Sequence, residues 1–155
     1  MCLEKIYIDT CVWCRPFDEP SLRISAERRA FLKILRKVYS GKFDVVGSVF
    51  LDIEVEMIEG EEKREAVKNS MHKVISEKIE CVSGRILSEK EEIKRWGLKD
   101  MDAYHLACAI EGRAKYFISV DDKILRKGRK IEKRYKIKMC NPIEFLRRER
   151  NGNQG

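Results

Sequence analysis

Short apolar runs alternate with longer stretches of helical periodicity from the first residues of the chain onward. Residues 5–9, Lys5-Ile6-Tyr7-Ile8-Asp9, read as a buried strand that ends in an acid, and residues 11–18 read as a loop closed by Pro16 and Asp18. Ala26, Ala30, Phe31, Ile34, Leu35 and Val38 then fall on one stripe, which predicts a helix over 25–38 that Gly41 closes. Phe43 to Gly47 reads as a second strand, with Ser48 placed to cap a helix over about 49–59. A helix over 62–76 buries Val67, Met71, Val74 and Ile75; Cys81-Val82-Ser83 is a third strand, and residues 84–96 return to helix. The segment 100–111 is apolar nearly all round, as expected of a central helix packed on a sheet. Strands at 116–120 and 137–140 follow, the first ending in Asp121-Asp122, and Pro142 opens a last helix through Arg147.

Strands alternating with helices imply an α/β fold. The expected architecture is a three-layer α/β/α sandwich with a mostly parallel five-stranded sheet. At 155 residues the chain fits one domain, placed at 1–150, with 151–155 as a disordered tail.

Charge refines this picture. Of the net +7, the stretch from Lys123 to Gly155 supplies twelve Lys or Arg against three Glu, so residues 1–122 together carry about −2. A basic excess gathered at one end suits a polyanion such as RNA, although a solvated lysine-rich surface would look the same. Arg15, Lys123, Arg126 and Lys127 are the candidate RNA contacts. No apolar run approaches the roughly 20 residues that span a bilayer, and the N-terminus lacks a signal-peptide pattern, so no membrane association and a cytoplasmic location are expected. Six cysteines include one close pair, Cys11 and Cys14, too few for a four-ligand zinc site.

The candidate chemistry lies in acids at awkward places. Asp9 and Asp121 end strands, and in open parallel sheets ligands bind beyond the carboxyl ends of the strands. Asp9 with Thr10 would equally serve as a helix cap. Glu54 projects between Phe50 and Ile58 on the apolar side of its helix, where a charge needs a salt-bridge partner or an ion. On the 100–111 helix, Asp102 faces inward beside Leu106 and Ala109. Asp100 lies on the outer side near Glu111, where it and Asp122 remain optional. His105 is either a satisfied core histidine or a hydrogen-bond partner of Asp102 or substrate. Four acids with no matched Lys or Arg beside them can converge on one cavity, where a cation must neutralise them or some must take up protons. Oxygen donors suit Mg²⁺ or Mn²⁺. Two such ions about 4 Å apart can activate a water and stabilise the leaving oxygen of a phosphodiester.

Ile6-Tyr7-Ile8-Asp9-Thr10, Ser48 to Glu54, Met101 to Ala109 and Phe117 to Asp121 resemble, in order and spacing over about 140 residues, the PIN-domain family. The resemblance implies a flavodoxin-like sandwich and a Mg²⁺- or Mn²⁺-dependent endoribonuclease. The family includes toxins of type II toxin–antitoxin pairs, so RNA, an antitoxin protein and a second copy in a homodimer are the partners implied. Carried over, Asp9, Glu54, Asp102 and Asp121 are the metal-binding catalytic acids, with Thr10 and Ser119 as supporting hydroxyls. Cys11 stands where many members have Asn or another small polar residue. Two other functions fit parts of the sequence: a PIN-like module that binds RNA without cutting it, and a thiol–disulfide oxidoreductase built on Cys11-Val12-Trp13-Cys14.

Overall fold

In a computed structural model of the chain, residues 3–152 are described. Five strands, β1 (Glu4–Ile8), β2 (Phe43–Ser48), β3 (Glu77–Ile79), β4 (Tyr116–Ile118) and β5 (Lys138–Cys140), form one sheet in the order β3-β2-β1-β4-β5. All four pairings are parallel, so the expected sheet is present and is parallel throughout. Tyr7 stands opposite Val46 and Phe117, and Ile6 opposite Val45 and Tyr116. Because successive side chains point to opposite faces, these two rows supply the two halves of the core.

The Tyr7 row packs on α6 (Asp100–Glu111), which is covered by α5 (Gly84–Lys94) and flanked by α3 (Val49–Glu56). Tyr7 stacks on Phe117 at 5.5 Å and meets the His105 ring edge-on at 5.8 Å. The Ile6 row faces α9 (Pro142–Gly152), whose Phe145 ring touches both Phe43 and Tyr116, and α9 in turn packs on α2 (Leu22–Tyr39). The basic segment after β4 forms α7 (Asp122–Leu125) and α8 (Gly128–Tyr135), and α4 (Glu61–Val74) leads into the edge strand.

Several boundaries differ from expectation, each for a local reason. Residues 10–14 are not loop but a helix, α1 (Thr10–Cys14), followed by a 3₁₀ turn at Arg15–Phe17. Val12 and Trp13 are buried, and the Trp13 indole donates to the Ile8 carbonyl at 2.9 Å, so tertiary contacts sustain a helix too short to show a period. The third strand is at 77–79 rather than 81–83. It is an edge strand whose Glu77 and Lys78 are exposed, so polarity conceals it, whereas Cys81 and Val82 are exposed and Ser83 caps α5. The second helix starts earlier than 25, at Leu22, because the Ser21 hydroxyl accepts the Ile24 amide. The last helix runs past Arg147 to Gly152, so 151 and 152 are helical, and the rest of the expected tail lies outside the described residues.

Close approach fixes Gly112. A Cβ at Gly112, just past α6, would lie 2.6 Å from Cγ1 of the buried Val46 and 3.3 Å from the Cys108 carbonyl. Gly112→Ala is expected to cost about 2 kcal/mol through overpacking. Urea denaturation checks this, and an unchanged midpoint would contradict it.

The strand order fixes where a ligand can sit. From β1 the chain moves outward to β2 and β3, then returns to the other side of β1 for β4 and β5. The order is not flavodoxin's own 2-1-3-4-5, but the same rule holds: the crevice opens where the order reverses, beyond the carboxyl ends of β1 and β4. No described helix is long and apolar enough to cross a membrane.

Candidate metal centre

Asp9 is the first residue beyond β1, and its amide donates to the Ile118 carbonyl of β4 at 2.9 Å, which places it in that crevice. Its side chain does two jobs at once. One oxygen, Oδ1, accepts the Thr10 amide at 2.9 Å and caps α1; the other, Oδ2, accepts the Ser119 hydroxyl at 2.8 Å and the Cys11 thiol at 3.4 Å. Asp9 is only 5% exposed. Burial pushes its carboxyl up, His105 and Ser119 pull it down, and the nearby Glu54 adds to the rise.

Glu54 reaches the same place from the second turn of α3, because the Ser48 cap starts that helix at the end of β2. Its Oε1 accepts the Thr10 hydroxyl at 2.7 Å and contacts His105 Nε2. Burial raises the Glu54 carboxyl, but His105 and then Thr10 outweigh it, so the net direction is down. One donor atom each from Asp9, Glu54 and His105 lies within 4.8 Å of the others. His105 is fully buried on α6, as a core histidine would be, but its partners are Glu54 and the Tyr7 hydroxyl rather than Asp102. Its spacing three residues after Asp102 placed it near the site; its place among the donors needed the fold.

Asp102 is half-buried in the first turn of α6. Burial first, then the charges of Asp9 and Asp121, with a smaller push from Glu54 against the pull of His105, raise its carboxyl to about 6. It feels the charges of the other acids, but it is not one of the close trio. Asp121 caps α7 by accepting the Lys123 amide at 2.9 Å, and its own amide donates to the Ser119 hydroxyl at 3.1 Å. Ser119 thus bridges Asp9 to the turn that holds Asp121. The optional acids are engaged elsewhere: Asp100 pairs with Lys90 at 3.1 Å and Lys94 at 3.2 Å, and Asp122 with Arg23 at 2.9 Å.

The donor set itself tests the fit of a cation. Among the described residues, no Lys or Arg hydrogen-bonds or ion-pairs with Asp9, Glu54 or Asp102; their polar partners are hydroxyls, an amide, a thiol and an imidazole. Carboxylates gathered in this way fit a divalent ion that takes oxygen donors, such as Mg²⁺ or Mn²⁺. Two cationic expectations separate here. Arg15 does not reach outward: Glu27 holds it at 3.0 Å and Asp18 at 2.9 Å, and its side chain is 16% exposed. Lys123 and Arg126 are exposed, and Lys127 lies beside Gly97 in the loop that leads to α6. The Cys11-Cys14 pair is not bridged, and burial, reinforced at Cys11 by Asp9, pushes both thiols up, away from the thiolate that disulfide exchange needs. A groove of about 670 Å³ between α3, α4 and β3 lies apart from these acids; the members of its Glu56–Lys68 and Asp52–Lys78 pairs neutralise each other.

The raised Asp102 has a measurable consequence in the metal-free protein. An acid whose folded value exceeds its ordinary 3.8 binds its proton more tightly when folded. The stability it contributes is present near pH 4 and is lost as pH rises through about 6. At a half-buried position this amounts to about 1 kcal/mol. Asp102→Asn is expected to flatten the stability profile over that window in EDTA, as read by thermal melts; a parallel profile would refute it.

Comparison with solved structures bears on the fold. The chain superposes on a crystal structure of VapBC2 from Rickettsia felis bound to a DNA fragment from their promoter, with a TM-score of 0.53 over 79% of this chain and 92% of that one. The two share a fold. Sequence identity is 14%, so the likeness is one of architecture. No family model matches the chain, and no curated protein matches it.

Proposed function

We propose that this chain is a metal-dependent endoribonuclease of PIN type, in which Asp9, Glu54, Asp102 and Asp121 hold Mg²⁺ or Mn²⁺ while His105 holds the Glu54 carboxylate from behind. The observation that carries this reading is the convergence of Asp9, Glu54 and His105 within 4.8 Å at the reversal point of the sheet, with no neutralising Lys or Arg among the described residues. A bound divalent ion supplies Lewis acidity at the phosphate and lowers the pKa of water. The chain's own residues do the rest. Ser119 and the Thr10 amide fix the two oxygens of Asp9, the Thr10 hydroxyl fixes Glu54, and Lys123, Arg126 and Lys127, in the basic segment that follows Asp121, would contact the RNA backbone.

The shared fold with VapBC2, solved on promoter DNA, supports a search for a protein partner in the manner of an antitoxin, and the PIN resemblance supports a homodimer and a toxin role. The direct test is labelled RNA with purified protein and Mn²⁺. Cleavage that appears with Mn²⁺ and stops with EDTA is expected. Cleavage indifferent to EDTA, or RNA bound but never cut with any divalent ion, would overturn the reading.

A further inference from the structure

Behind the metal centre runs a line of buried polar groups that ligand binding alone does not require. Ser48 Oγ lies 2.6 Å from the Tyr7 hydroxyl, and that hydroxyl lies 2.6 Å from His105 Nδ1. His105 Nε2 in turn meets Glu54 Oε1, which also receives the Thr10 hydroxyl. Ser48, Tyr7 and His105 are each at most 1% exposed, so no water can substitute for a missing partner.

The donors and acceptors along this line can be counted. Glu54 Oε1 already accepts from Thr10, and a carboxylate has no hydrogen to give, so the hydrogen between Glu54 and His105 resides on Nε2. A neutral ring with hydrogen on Nε2 has a bare Nδ1, which must accept, and the Tyr7 hydroxyl is the donor that faces it. The Tyr7 oxygen is then free to accept from Ser48, whose oxygen takes the Phe50 amide at 3.2 Å while it caps α3. With the ring neutral, every hydrogen on the line has one place to go, and all of them point toward Glu54.

We infer that Tyr7 is a positioning residue that locks His105 as its Nε2–H tautomer and thereby orients the Glu54 carboxylate for the metal. The metal part of this inference rests on the proposed function; the tautomer part does not. Tyr7 suits the role because packing fixes its ring independently of the hydroxyl, stacked on Phe117 at 5.5 Å with the rings 10° from parallel. Outer partners that orient a metal ligand typically change metal affinity about 10- to 100-fold when removed. The line also ties two parts of α3 together, since its cap Ser48 and its ligand Glu54 are joined through β1 and α6.

The test is nitrogen NMR on ¹⁵N-histidine protein without metal, where the chain's two histidines give few signals and His72→Gln identifies His105. The expected wild-type spectrum shows Nε2 protonated and Nδ1 bare. In Tyr7→Phe the two nitrogens are expected to move toward a mixture of tautomers, and Mn²⁺ affinity measured by calorimetry to fall about tenfold. A wild-type ring with hydrogen on Nδ1, including an imidazolium, overturns the inference. So does a folded Tyr7→Phe that keeps both the wild-type tautomer and the wild-type Mn²⁺ affinity. Should Tyr7→Phe fail to fold, the wild-type spectrum alone decides the lock, and it does so even if no ion binds.

Discussion

Asp9→Asn is expected to lower metal-dependent RNA cleavage by about 100-fold or more while leaving the metal-free protein folded. Asn remains a good helix cap, so its side-chain carbonyl can still accept the Thr10 amide that Asp9 Oδ1 now accepts. Its amide group can face Ser119, whose hydroxyl accepts as well as donates. What disappears is the charge. Stabilising a developing charge with a bound cation is worth several kcal/mol, and each 1.4 kcal/mol or so is a factor of ten in rate. Two measurements decide the case together: single-turnover cleavage with Mn²⁺, and the melting temperature in EDTA. Wild-type cleavage in a normally folded Asp9→Asn protein would remove Asp9 from the centre of the site. A collapse of the fold would mean that its capping role dominates.

The second large effect is on stability. Glu27, on α2, is 1% exposed, and Arg15 is its nearest cation, with Arg23 more distant at 3.4 Å. Arg15→Met leaves that carboxylate buried with only the longer contact. Breaking one side of a buried pair costs about 3–5 kcal/mol, and the remaining Arg23 places this case near 3 kcal/mol. Adding Glu27→Leu to Arg15→Met is expected to restore much of the loss, because the penalty belongs to the unpaired charge. Urea denaturation of the two variants measures both terms. RNA affinity of the folded Arg15→Met protein should match wild type; a drop would return Arg15 to the list of RNA contacts.

Much of this architecture is legible in the sequence because periodicity and burial agree along most of it. The bounds of α6 are those read from its small apolar residues, and Ser48 caps α3 as its position before an apolar run suggests. Elements held by tertiary contacts alone are the ones that differ. Helix α1 is only five residues long and depends on Trp13 packing against Phe31, a contact too distant in sequence to leave a period. Strand β3 pairs only with β2 and faces solvent, so it carries no apolar signature.

The site divides in the same way. Asp9, Glu54 and Asp102 are conspicuous because a charge in an apolar setting needs a reason, and that argument requires no coordinates. His105 gave no such signal, since a buried histidine is ordinary until its partners are known. Arg15 misleads for the opposite reason: a guanidinium in a loop looks available until the fold brings Glu27 to it. Tyr7 lies in the very run that drew attention to Asp9, yet its hydroxyl is invisible to a hydrophobic pattern that counts the ring as core.

The place of β1 in the sheet also has a consequence for the order of events during synthesis. This first strand is completed on one side by β2, about 40 residues later, and on the other only by β4, more than 100 residues later. Asp9 borrows its backbone anchor from Ile118 and a side-chain donor from Ser119. A nascent chain that has emerged only as far as α6 carries Asp9, Glu54, Asp102 and His105, but nothing yet holds Asp9 in line with them. The centre therefore closes only once β4 and Ser119 have been made, well after Asp9, Glu54 and Asp102, so its assembly is a late event in the folding of the domain.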